Sequence, residues 1–154
     1  MEGLAYAEER AGGVRLSFID SSAFLYAFLA SRSDLLPEVS RMKGHAQAII
    51  RRIQEGEPVT TSVVHVSEVA NILEKRFPLD RARNIVSSIL LSDNVSVSEV
   101  DNLRYEAALS ISERHMVGLN DALTYSIMRE NGITKIYSFD NHFDLFPGIT
   151  RLTE

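Results

Sequence analysis

Apolar residues recur along this chain in two rhythms: short continuous runs, and longer stripes spaced three and four apart. The run Leu16-Ser17-Phe18-Ile19-Asp20 predicts a first strand with an acid at its end. Ser21-Ser22 then open an apolar stretch from Ala23 to Ala30, which predicts a buried helix. Pro37 suits the first turn of a second helix, whose stripe is Met42, Ala46, Ile49, Ile50 and Ile53 and whose end is Gly56. Pro58-Val59-Thr60-Thr61-Ser62 predicts the second strand. Val66, Val69, Ala70 and Leu73 fall at i, i+3, i+4 and i+7, one face of a helix. Phe77-Pro78 interrupts that face, and Ala82, Ile85, Val86, Ile89 and Leu90 resume it as far as Leu91. Val95-Ser96-Val97 alternates like a third strand. Ser98 and Asp101 have the spacing of a capping box and predict a helix to about His115. Leu119, Ala122, Leu123, Ser126 and Ile127 line another helical face, stopped by Asn131-Gly132. Lys135 to Asp140 predicts the fourth strand, and Ile149 to Leu152 a short fifth at an edge.

Strands alternating with helices imply an α/β fold, with a parallel sheet covered on both faces. In such sheets ligands bind outside the carboxyl ends of the strands, so the chemistry is expected there. Residues 1–14 have no clear period and are set off by Gly12-Gly13. They are expected to be a loosely held arm, with residues 15–154 forming the domain. The chain has 154 residues, the length of one domain, and no repeats or linkers.

Composition narrows the chemistry. There is no cysteine, which excludes disulfides, a thiol nucleophile, thiolate zinc sites and cysteine-held iron–sulfur clusters. The longest apolar run, Ala23 to Ala30, falls far short of the ~18 residues of a membrane span. The N-terminus lacks the basic start and apolar core of a signal peptide, so a cytoplasmic protein without a membrane partner is expected. Net charge is −5 and the isoelectric point about 5.4, whereas a protein gripping nucleic acid through a broad basic face is usually basic. Either nucleic acid is not the partner, or the acidity is concentrated where something neutralises it.

Four acids fit the second option. Asp20 ends the first strand, Glu68 lies on the helix after the second, Asp121 opens the helix before the fourth, and Asp140 ends the fourth. Parallel strands bring all four to one edge, although 48, 53 and 19 residues separate them in sequence. Two carboxylates ~4 Å apart repel by about 1 kcal/mol in water and ~4 kcal/mol at an effective dielectric of 20, so such a cluster needs a cation. Oxygen donors without cysteine favour Mg²⁺ or Mn²⁺, ions that take up phosphate oxygens and activate water. Each acid also has an ordinary structural reading. Asp20 can cap a helix, Glu68 can be a solvated helix residue, Asn120-Asp121 can cap and complement a helix dipole, and Asp140-Asn141 can be a turn. His65 and His142 read as polar core or surface residues rather than ligands, and Phe24, Tyr26 and Phe28 as core. Arg51-Arg52, Lys75-Arg76 and Arg81/Arg83 read as solvated helix faces that can also meet a phosphate backbone. The chain holds no HExxH, GxSxG, GxGxxG or Walker loop.

The ordered set of motifs resembles the PIN-domain family, the fold of VapC-type toxins and related metal-dependent ribonucleases. Phe18-Ile19-Asp20-Ser21-Ser22-Ala23-Phe24-Leu25 is similar to the family's first acidic motif, and Ser67-Glu68-Val69-Ala70 to its early helix. Leu119-Asn120-Asp121-Ala122-Leu123, followed by Ser138-Phe139-Asp140-Asn141-His142-Phe143 and Pro147-Gly148-Ile149, carries the closest match. The resemblance spans residues 16–152. It implies a three-layer α/β/α sandwich with a central parallel sheet of four to five strands. It also implies cleavage of single-stranded RNA with Mg²⁺ or Mn²⁺. In this reading Asp20, Glu68, Asp121 and Asp140 are the catalytic acids and hold one or two divalent ions. Ser22 and Ser138 orient water or carboxylates behind them. A metal-activated water attacks phosphorus, leaving a 5′-phosphate. Some members carry another acid two residues after the last motif Asp. Here that position is His142, and Asp144 is out of register.

The expected function is therefore a metal-dependent endoribonuclease, as the toxin of a toxin–antitoxin pair or as an RNA-processing enzyme. Its partners are RNA, a protein antitoxin and a second copy of the chain. The homodimer is expected from the family habit and from apolar faces around residues 42–53 and 82–91. Two other readings stand beside it. One is a PIN-fold module whose acids hold metal poorly and which binds protein or RNA. The other is a small phosphotransfer domain modified on Asp20, which lacks the expected nearby DxD.

Overall fold

The computed structural model describes residues 16–29 and 36–154; the expected arm at 1–14 and the Ala30 end of the first apolar stretch lie outside the described residues. The apolar run at the start becomes β1 (Ser17–Ile19), and the buried stretch after it becomes α1 (Ser21–Phe28). There follow α2 (Pro37–Gln54), β2 (Val59–Ser62), α3 (Val63–Arg76), α4 (Leu79–Leu90), β3 (Val95–Ser98), α5 (Asn102–His115), α6 (Leu119–Glu130), β4 (Lys135–Tyr137), a 3-10 helix (Asn141–Leu145) and β5 (Thr150–Leu152).

All five strands are parallel and lie in the order β3-β2-β1-β4-β5. Side chains alternate across a strand, and the register pairs Phe18 with Ile136 and Ile19 with Tyr137. Ile19 and Tyr137, with Val59 and Val95, face a core built with Phe24, Ile49, Val69, Leu73 and Ile89 from α1 to α4. Phe18 and Ile136 face the opposite way, into a core with Ala108, Leu123, Ile127 and Phe143 from α5, α6 and the 3-10 helix. The result is the expected three-layer α/β/α sandwich. Each fully buried Phe or Ile contributes roughly 1.5–3 kcal/mol, which holds the layers against the sheet.

Two local expectations are corrected. Ser98 belongs to β3, and Asp101 itself caps α5 by accepting from the Arg104 N–H at 2.8 Å, so no capping box forms. The fourth strand ends at Tyr137 rather than Asp140; beyond it the Ser138 hydroxyl donates to Asp20 in the site described below, and the Asp140 N–H turns back onto that hydroxyl.

Strand order also shows where a ligand fits. From β1 the chain steps outward to β2 and β3, then returns to the other side of β1 as β4. The crevice between the carboxyl ends of β1 and β4 is thus the topological switch point, the usual binding place in open parallel sheets. Asp20 leaves β1 there, with its N–H donating to the Tyr137 carbonyl at 3.0 Å, and Asp140 follows β4. α5 ends at Met116 in a left-handed turn (φ 54°), and Gly118 then starts α6 with Asp121 in its first turn. No helix among the described residues is long and apolar enough to cross a membrane.

Candidate metal centre

Asp20 is 5% exposed, and its carboxylate is held from several sides. As the N-cap of α1 it accepts from the Ser22 N–H at 3.4 Å. Its Oδ2 also accepts from the Ser22 hydroxyl at 2.7 Å and from the Ser138 hydroxyl at 2.9 Å. Each hydroxyl in turn accepts a backbone N–H, Ser22 from Phe139 and Ser138 from Asp140, both at 3.0 Å. The two serines thus clamp the end of β1 to the chain leaving β4, with every donor used. Donors aimed at an ionised carboxylate are roughly twice as strong as neutral pairs.

Behind Asp20 lies His65, 1% exposed. The Thr124 hydroxyl donates to the Asn120 carbonyl at 3.0 Å, so it accepts from His65 Nε2 at 2.6 Å. Nδ1 then accepts from the Ser62 hydroxyl at 2.7 Å. This pattern assigns the neutral imidazole with its proton on Nε2. Burial holds the His65 pKa below its ordinary value, against the opposing pull of the Asp20 and Glu68 charges. The reading of His65 as a polar core residue agrees with this placement.

Glu68 is held from the other helix layer. Asn120 Nδ2 donates to its Oε1 at 2.6 Å, and the Tyr105 hydroxyl fixes the amide by donating to Asn120 Oδ1 at 2.7 Å. Asn120 is therefore not a helix cap: Gly118 occupies that position and no side chain caps α6. Its role in orienting Glu68 has no local sequence signal, because Tyr105, Asn120 and Glu68 meet only across three helices.

Asp121, Asp140 and His142 form the tightest group, with one ligand atom from each lying within 4.8 Å of the others. His142 Nδ1 is 3.3 Å from Asp121 Oδ2 and 3.3 Å from Asp140 Oδ1. Asp140 caps the 3-10 helix through the His142 N–H at 2.9 Å, and that turn folds the ring back over the carboxylate. Burial, then the charges of Asp140 and Asp20, push the Asp121 pKa up to about 6, even though His142 pulls it down. Side-chain exposure rises from 18% at Asp121 through 37% at Asp140 to 54% at His142, so this side of the crevice is open.

The structure thus places the four predicted acids at one edge of the sheet, but on different terms. Asp121 and Asp140 share the tight group, Asp20 acts on Asp121 through its charge, and Glu68 stands beside it on Asn120. Ser22 and Ser138 both touch Asp20. Asp144 pairs with Arg151 at 3.0 and 2.9 Å, away from the group. His142, expected as a polar core or surface residue, is half exposed and joins this group; its signal was its place two residues after Asp140, at the start of a turn. Two half-buried carboxylates and an imidazole, with further acids behind them, fit a divalent cation by donor chemistry and by the uncompensated charge.

A family model for the PIN domain matches residues 17–149, and the chain belongs to this family. PIN-domain proteins are typically nucleases that use divalent metals. Among solved structures, VapC20 of Mycobacterium tuberculosis, a toxin that cleaves the sarcin–ricin loop, is 25% identical with a TM-score of 0.64, covering 82% of this chain and 90% of its own. VapBC2 of Rickettsia felis, bound to a DNA fragment from its promoter, gives 10% identity and a TM-score of 0.60, covering 89% and 97%. PAE2754 of Pyrobaculum aerophilum gives 12% and 0.59, covering 90% and 89%. The last two likenesses concern the fold alone. A search of curated proteins finds no match.

Proposed function

We propose that this protein is a metal-dependent endoribonuclease acting on single-stranded RNA, with Asp20, Glu68, Asp121 and Asp140 as its acids. The observation that carries the reading is the crowding of Asp121 and Asp140 at the switch point, with the Asp121 pKa raised to about 6. Burial is the first cause of that rise and the charges of Asp140 and Asp20 add to it, so a cation beside the pair would be favoured. A divalent ion, Mg²⁺ or Mn²⁺, would supply it there, together with Lewis acidity toward a phosphodiester and a more acidic water. Asp121 and Asp140 would hold the ion, with Glu68 and Asp20 flanking it. Ser22 and Ser138 hold Asp20 in place by donating two hydrogen bonds to one oxygen. His65 closes the far side of Asp20 as a neutral group, so that no buried cation competes with the ion.

The surroundings support a polyanionic substrate. Lys43 and Arg76 line a hollow of about 300 Å³ beside Ser22, together with Tyr26 and Leu25. The acidic net charge then reflects a centre that a cation neutralises, next to side chains able to meet phosphates. A toxin role is supported by the likeness to VapC20, and a protein antitoxin is the partner that goes with that reading. A homodimer is supported by exposed Leu79 and Leu90 on α4. Light scattering at micromolar concentration checks the dimer, and a monomer mass rejects it.

The test is cleavage of an unstructured RNA oligonucleotide in Mn²⁺, in Mg²⁺ and in EDTA, by wild type and Asp121→Asn. Cleavage by wild type in metal alone, with 5′-phosphate ends, supports the reading. An RNA that binds but stays intact under every condition rejects it in favour of an interaction module.

A further inference from the structure

The four acids do not account for the tightest group at the site, because its third member is a histidine. Asp140 Oδ1 already accepts the His142 N–H, and the 3-10 turn this begins holds the ring over the crevice. Its Nδ1 stands at the same 3.3 Å from one oxygen of each aspartate. The ring is half exposed, so packing does not force it there. At that distance Nδ1 can donate its proton to the two carboxylate oxygens or, with the proton on Nε2, offer its lone pair to a cation that they share. Two carboxylate oxygens and one imidazole nitrogen are a mixed donor set. Carboxylate suits Mg²⁺ and Mn²⁺ alike, whereas imidazole adds affinity for first-row transition ions and little for Mg²⁺. A neutral ring also supplies one negative charge fewer than an acid at the same position, which costs a hard cation more.

We infer that His142 is a nitrogen ligand of the metal centre, through Nδ1, and that it biases the centre toward Mn²⁺ and other first-row transition ions over Mg²⁺. The inference rests on the proposed metal centre and goes beyond it by naming the ligand that sets ion preference. Asp121 and Asp140 hold a cation of either kind; His142 discriminates.

Pulsed electron paramagnetic resonance of Mn²⁺-loaded protein reads the ligand directly, because a coordinated imidazole nitrogen couples to the manganese spin. The wild type is expected to show ¹⁴N coupling, and His142→Gln to lose it while still binding Mn²⁺. Competition titrations are expected to show the Mn²⁺ to Mg²⁺ affinity ratio falling about tenfold or more in His142→Gln, and His142→Asp strengthening Mg²⁺ binding. The half-exposed ring makes both variants compatible with folding, and the wild-type spectrum needs no variant at all. Mn²⁺ binding without ¹⁴N coupling, coupling that persists in His142→Gln, or an unchanged affinity ratio overturns the assignment of His142 and leaves the metal centre standing. Failure of the wild type to bind either ion overturns both.

Discussion

The two sides of the crevice are built from the same residue types to opposite ends. On the β1 side, Asp20 is buried and anchored through one oxygen: two serine hydroxyls and a backbone N–H donate to Oδ2, and a neutral imidazole closes the rear. On the α6 side, Asp121 and Asp140 face each other with one half-exposed histidine between them, and Asp121 is held well above the ordinary carboxylate pKa. The first arrangement fixes the carboxylate by its Oδ2 and leaves Oδ1 with only the Ser21 hydroxyl at 3.5 Å. The second is electrostatically incomplete. A carboxylate supplied with donors holds its place without a cation, whereas one opposed by other carboxylates gains most from a cation.

The largest effect follows from breaking the incomplete side. Asp121→Asn is expected to lower RNA cleavage by about 100-fold or more, the scale set by weaker perturbations behind metal ligands. Single-turnover rates at saturating Mn²⁺ measure it, and a loss of less than tenfold would remove Asp121 from the ion. Breaking the anchored side shows also in stability. Asp20→Ala strands two buried hydroxyls and uncaps α1, and should cost about 2 kcal/mol or more in urea unfolding. Asp140→Ala should cost less than half as much, because the lost 3-10 cap is offset by relief of the repulsion on Asp121. Equal losses would erase the contrast between the two sides.

The pH dependence has a defined sign. Asp121 has a folded pKa of about 6 against an ordinary 3.8, so the metal-free folded state binds this proton more tightly than the unfolded chain. Its contribution to stability is therefore present below pH ~4 and lost as pH rises through about 6. In EDTA the wild type should lose stability relative to Asp121→Asn between pH 4 and pH 7, measured by urea midpoints at each pH. Parallel curves would mean that the carboxyl is not crowded. The smallest effect belongs to Asp144, whose carboxyl Arg151 holds below its usual range at the surface. Asp144→Asn should leave cleavage and metal affinity unchanged and alter stability by less than about 1 kcal/mol.

Most of the scaffold was legible because its elements repeat simple periods. The Val66, Val69, Leu73 stripe is buried in α3, and Phe18 and Ile19 divide between the two cores as alternation requires. What local pattern missed lies where side chains answer distant groups. Ser138 reads as strand, yet its hydroxyl leaves the strand for Asp20, 118 residues away. Asp101 caps α5 alone because Ser98 is already committed to pairing with Ser62 in the sheet. The proximity of Asp121 and Asp140 was legible from their places near strand ends, which the parallel sheet brings together. The place of His142 beside Asp121 and Asp140 comes from a single tight turn after Asp140, which a residue count does not show.

The measurement that bears most directly on the account is the melting midpoint of wild type and Asp121→Asn, each in EDTA and in millimolar Mn²⁺. An ion at ~100 times its dissociation constant adds about 2.7 kcal/mol, or roughly 5–10 °C for a domain of this length. Wild type should rise by that amount in Mn²⁺. The variant, relieved of one charge, should melt at or above wild type in EDTA and gain clearly less from the metal. Equal gains in both proteins, or none in either, would contradict the claim that the α6 side of the crevice is completed by a cation.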